Sequence, residues 1–157
     1  MREGFQVKKE VLMSEGDNDT SVRRFLDEAY NKRNLTVGDE LLVEDCVFHA
    51  IPKSIQGIAG WKMYATAFLT VFPDDLQVTI ENSFATGDKV AARWIAQGTH
   101  KGPLRGIAPT GKEVRWLGVA LYDFSGGKIK EVWGLNDTLG MMQQIGVIPS
   151  NYNTYHV

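Results

Sequence analysis

The chain has one cysteine among 157 residues, and Cys46 stands between apolar neighbours in "VEDCVFHA". An internal disulfide and a multi-cysteine metal site are thereby excluded, and the expected role is that of a small buried hydrophobe. Excess basic charge is also missing. The 17 lysines and arginines are scattered and face 19 acidic residues, so no basic face is offered to nucleic acid. No apolar run reaches membrane-spanning length, and the opening "MREGFQVKKEVLMSE" lacks the continuous apolar core of a signal peptide. The expectation is a soluble cytoplasmic protein with neither nucleic acid nor membrane as partner. His49, His100 and His156 are dispersed, without carboxylates patterned around them, which argues against a metal site; no cofactor is expected. His156, beside the C-terminus, is expected to be incidental.

What the sequence does contain fits one domain over residues 18–149, between a loosely ordered tail at 1–17 and a short one at 150–157. "NDTSVRRFLDEAYNKRN" spaces Val22, Phe25, Leu26, Ala29 and Tyr30 for one helix face, with Asp19 or Thr20 as cap. "TVGDELLVEDCVFHAIP" reads as a helical turn and then a strand in which Cys46, Phe48 and Ala50 alternate with Val47, His49 and Ile51. "GIAGWKMYATAFLTVFPDD" gives a second main helix with an aromatic stripe, ended by Pro73. From Asp75 the period drops to two. Two strands flank "TGDK", two more flank "SGGK", and "DTLGMMQQIG" closes with a short helix capped by Asp137 or Thr138. This order predicts an α+β fold: a curved mixed, mostly antiparallel sheet with the helices on one face, curling into a cone open at one end. Such a mouth suits a small-molecule pocket.

One segment interrupts that regularity. "GTHKGPLRGIAPTGKEVRW" is far longer than a hairpin turn requires, and Gly102, Gly106 and Gly111 loosen it while Pro103 and Pro109 restrain it. Either it covers the pocket rim, or its glycines simply make a long loop feasible. The order of elements together with "GTHKGPLRGIAPTGKEV", "GGKIKEVWGLND" and "QQIGVIP" resembles the SnoaL-like polyketide cyclases of the nuclear transport factor 2-like superfamily, over roughly residues 20 to 149. The resemblance implies a cone-shaped α+β barrel around a deep hydrophobic cavity, a homodimer pairing sheet against sheet, and a loop folded over the rim. It also implies a cofactor-free aldol cyclisation or isomerisation of a hydrophobic, carbonyl-rich small molecule, although the superfamily's many unrelated activities keep a binding module without catalysis open.

At the position matching the family's general acid and base stands Asp137. On a strand Trp133 and Asp137 share a face, so both would look into the cavity while Asn136 looks out. Burial against tryptophan and methionine would raise the carboxyl's pKa toward a useful range; as an alternative, Asp137 simply caps the last helix. His100 is the second catalytic candidate, as a donor to a carbonyl or enolate, or else as a tie between loop and sheet. His49, on a strand that borders the pocket in the family, is a candidate polar contact. Trp61, Tyr64, Phe68, Trp94, Trp133 and Met141, with Met142, complete the expected lining; each is also a natural core residue. Arg93 and Gln97 lie opposite Trp94, so only one of these sets can face inward.

Overall fold

The computed structural model describes residues 15–50 and 52–150; the expected tails outside these bounds, with His156, and Ile51 lie outside the described residues. Helix α1 (Glu15–Leu26) begins four residues before the expected cap. Asp19 instead pairs with Arg23 at 2.9 Å one turn on, and the Thr20 hydroxyl donates to the Gly16 carbonyl at 2.8 Å. Residues 15–17, expected in the tail, form the first turn. Glu15 accepts from Gly87 N–H at 2.8 Å and Asn18 donates to Gly87 O at 3.2 Å, so the start of α1 holds a hairpin turn of the sheet.

The helix then widens into one π-helical segment, Asp27–Asn31, in which Lys32 N–H donates to Asp27 O at 3.0 Å. Such insertions shift the following side chains round the axis and recur at functional sites. Here Asn31 comes to face the sheet. Its amide donates to Val78 O at 2.9 Å and accepts from Val78 N–H at 2.7 Å, satisfying both main-chain groups of that strand residue. After α2 (Val37–Leu41) come β1 (Leu42–His49), the two-residue β2 (Ile55–Gln56), which sequence periodicity does not reveal, and α3 (Gly57–Val71). A meander follows: β3 (Gln77–Thr86), β4 (Lys89–Thr99), β5 (Glu113–Ser125), β6 (Lys128–Asn136), then α4 (Thr138–Ile145).

The six strands form one sheet in the order β2-β1-β6-β5-β4-β3. β1 runs parallel to β6 and every other neighbouring pair is antiparallel, the mixed sheet that was expected. The sheet curls around α1 and α3 without closing. Its inner face is read off β5, where Val114, Trp116, Ala120, Tyr122 and Phe124 are buried at alternate positions. That periodicity aligns with β4, where Val90, Ala92, Trp94 and Ala96 are buried. Trp94 therefore faces inward. Arg93 lies on the outer face bound to Glu81 and Asn82, and Gln97 is exposed with it.

Candidate functional site

Inside the curl is an apolar cavity of about 160 Å³, open at one end and bounded by 18 residues from helices and sheet. Its existence follows from side-chain size. Ala96 on β4, Ala120 on β5 and Gly134 on β6 are all inward-facing wall residues, and none fills the space that a leucine or phenylalanine would. Aromatic rings make the rest of the wall: Phe68 meets Trp116 and Tyr30 edge-on at 5.9 and 6.1 Å between ring centres. Tyr64, Phe68 and Trp94 of the expected lining do border the cavity.

The other lining residues do not. Trp61 is fully buried behind the wall, its ring tilted against Phe25 with centres 5.0 Å apart. It fits only because position 38 is glycine: a β-carbon there would come within 2.2 Å of the indole. Met141 is likewise buried core and contributes nothing to the wall. Trp133 is on the opposite side of the sheet and 54% exposed. The parallel register explains this correction, since Phe48 pairs with Val132, both inward, and His49 pairs with Trp133, both outward. His49 borders the cavity rim, yet its imidazole lies on the outer face, stacked on Trp133 with ring centres 3.6 Å apart and bonded to Glu131 at 2.9 Å. Hydrogen bonds from His49 and Lys130 hold the Glu131 carboxyl below the usual range.

The same alternation exchanges the expected places of Asn136 and Asp137. Val132, Gly134 and Asn136 form the wall, and the Trp116 indole donates to Asn136 Oδ1 at 3.2 Å, which leaves the amide's N–H groups for the cavity. Asp137 is exposed at the rim, one residue past the last wall residue of β6. Its Oδ1 accepts from Gly140 N–H at 2.8 Å, capping α4. The second sequence alternative, a cap, is what the carboxylate does in this structure.

His100 is not in the wall either. It is 0% exposed at the root of the long loop, where its main chain pairs with Lys112 O at 2.9 Å and Gly111 N–H at 2.9 Å. Thr110 N–H donates to Nδ1 at 3.3 Å and the Thr110 hydroxyl lies 3.0 Å from the same nitrogen, so the ring fastens the loop. The loop is fixed at its start too: Lys101 and Gly102 N–H both donate to Val71 O at 3.1 and 3.0 Å. Only glycine can lie at 102, since a β-carbon would come within 1.9 Å of Thr70 O. None of residues 101–112 is in the cavity wall, and the segment is strapped to the end of α3. Arg105 alone makes itself felt at the mouth, where its charge partly counters the upward push of burial on the Tyr64 hydroxyl.

Reasoning from sequence passed over Tyr30, Phe48, Trp116, Tyr122 and Asn136, all in the wall. The signal for Trp116 and Tyr122 was present in the strict alternation of "VRWLGVALYDF". Among the described residues there is no group of three or more His, Cys, Asp or Glu side chains placed to hold a metal, and no helix is long and apolar enough to cross a membrane.

A curled, mostly antiparallel sheet wrapped around helices, with an apolar cavity inside the curl, defines an α+β cone. The sequence profile of the SnoaL-like polyketide cyclases matches residues 20–145, and the chain belongs to that family. Among solved structures it is similar to a protein assigned to the SnoaL-like polyketide cyclases from Jannaschia Sp. CCS1, with 26% identity, TM-score 0.77, and 85% of this chain and 94% of that one covered. AclR from Streptomyces galilaeus, a candidate hydroxylase, gives 26% identity and a TM-score of 0.78, covering 87% and 89%. IdmH from Streptomyces antibioticus, a candidate polyketide cyclase, gives 27% and 0.70, covering 85% and 99%. Among curated proteins no sequence match is found.

Proposed function

We propose that this protein binds a compact hydrophobic carbonyl compound in the cone and acts on it by acid/base chemistry without a cofactor, as an aldol cyclase or isomerase. The observation that carries the reading is the cavity: an apolar wall in which the Asn136 amide is oriented by Trp116, ready to donate to a substrate oxygen. A carbon flanked by two carbonyls is acidic enough for a carboxylate to deprotonate, and Asp137, one residue past the last wall residue of β6, is the carboxylate we assign to that step. To act, it has to turn from Gly140 N–H toward the cavity. A second reading is a binding protein without catalysis, favoured by the same fact that the Asp137 carboxylate is engaged as a cap.

Asp137→Asn separates them, because asparagine caps a helix as well as aspartate does but is no base. The substrates are aryl β-diketones able to close by intramolecular aldol reaction, followed by mass spectrometry. Turnover in the parent and its loss in a variant of equal thermal stability supports the enzyme. Binding without turnover in both chains supports the binding module.

The protein also pairs, in this proposal, with a second copy of itself. Phe84, Ala91, Leu121, Trp133 and His49 follow one another across five strands on the outer face, beside Val119 and Leu135. Leu135 is 74% exposed, and an apolar row of this extent is unusual on a surface left to water. Sheet-to-sheet pairing about a two-fold axis would cover it.

A further inference from the structure

The deep wall of the cavity contains two phenols that the chemistry above does not use. Tyr30 enters from the π-helical segment after α1, and Tyr122 from the C-terminal part of β5; both are wall residues, and Tyr122 is 2% exposed. Among the described residues the Tyr122 hydroxyl meets no hydrogen-bonding partner, and the Tyr30 hydroxyl has the Trp61 indole N–H beside it, a donor that leaves the phenol's own O–H unused. The Trp61 indole N–H is buried and makes no well-formed hydrogen bond, and what it offers the Tyr30 oxygen lowers that phenol's pKa only against the larger rise from burial. Burial pushes both phenols well above their ordinary pKa, and the two are near enough for the charge of one to oppose ionisation of the other. They are therefore neutral donors at any physiological pH. Tyr64, nearer the mouth, adds to the same effect on Tyr30.

A buried O–H donor without an acceptor is destabilising, so two of them facing one cavity need an acceptor from within it: water in the free protein, or an oxygen of the occupant. The wall around them is hydrocarbon, which selects the occupant's body, while a pair of O–H donors selects one oxygen carrying two lone pairs. We propose that Tyr30 and Tyr122 form a carbonyl-binding subsite at the floor of the cavity, so that a ligand enters ketone end first and leaves its remaining functional groups at the rim beside Asn136 and Asp137. This rests on the cavity being the ligand site, and adds which end of the ligand lies deepest. The subsite positions the ligand and is a specificity device whether or not the bound molecule reacts.

Two probes of one shape separate this from simple filling of an apolar pocket: 1-indanone and indane, the same bicycle with and without a carbonyl, titrated against the indole N–H resonances of the folded protein. An apolar wall alone favours indane, the more hydrophobic compound. The subsite predicts that the affinity ratio of indanone to indane falls at least tenfold in Tyr30→Phe/Tyr122→Phe, and that the carbonyl stretch of bound indanone, lowered in the parent, moves back up in the double variant. Each single phenylalanine variant should give part of both effects. Tyr122→Phe removes a hydroxyl without a protein partner and should melt no lower than the parent, which also serves as the check on folding, whereas Tyr30→Phe also removes the oxygen beside the Trp61 indole and should melt at or slightly below it. An unchanged ratio and an unchanged stretch, with both probes still binding, would overturn the subsite while leaving the cavity reading intact. Failure of both probes to perturb the indoles of Trp94 and Trp116 would overturn the cavity reading, and the subsite with it.

Discussion

The imidazole of His49 lies flat on the indole of Trp133, ring planes 9° apart, on the side of the sheet away from the helices. This one stack fixes the facing of β6, since neighbours on parallel strands share a side. It also makes Trp133 the centre of the exposed apolar row. Trp133→Lys is expected to convert a dimer into a 17.5 kDa monomer by light scattering, with binding inside the cavity unchanged. A parent chain that is already monomeric at high concentration would refute sheet-to-sheet pairing.

Asp137→Ala removes the acceptor of Gly140 N–H and should lower stability by about 1 kcal/mol, measured by urea unfolding. Asp137→Asn should restore it. Equal stability of all three chains would show that the cap is not formed in solution.

Gly134→Val should fill the cavity without strain. A β-carbon at 134 meets Ala120 Cβ at 3.7 Å, an ordinary contact, and valine suits a strand better than glycine by about 0.5–1 kcal/mol. The variant is expected to melt at or above the parent temperature while losing at least tenfold in ligand affinity. A variant that binds normally would place the ligand elsewhere.

The buried phenols set the alkaline limit. Tyr30 and Tyr122 have their pKa raised above the ordinary 10.0 by burial, so the folded chain retains protons that the unfolded chain gives up. Their contribution to stability is complete below pH 10 and declines as pH rises through and beyond it. Ultraviolet titration should therefore show these two phenols ionising together with unfolding and not before it. Smooth titration of every tyrosine in the folded state would contradict their burial.

The element order, the turn at "TGDK" and the Asp137 cap were legible because each depends on local chemistry: period, turn residues, a capping side chain. The facing of β6 was not, for two physical reasons. A register shift opposite Asp123 and Phe124 leaves Ile129 and Val132, three apart, both buried, which breaks the period of two. And Trp133, the largest apolar side chain of the strand, points outward, where it stacks on His49. His49 and Asn136 were misplaced by the same error of one residue. The early start of α1 escaped notice because Glu15 and Asn18 satisfy a turn 72 and 69 residues away, a contact no local pattern encodes.

The two hydrogen bonds between Asn31 and Val78 join the π-helical turn to the edge strand at the same level as Tyr30. Helix and sheet are thus riveted where the phenol enters, so in the proposed subsite the depth of a guest would be set by backbone registry and not by a flexible arm. Stereochemical choice in such a vessel would come from a fixed floor and an adjustable brim, with successive guests sampling new poses only at the open end.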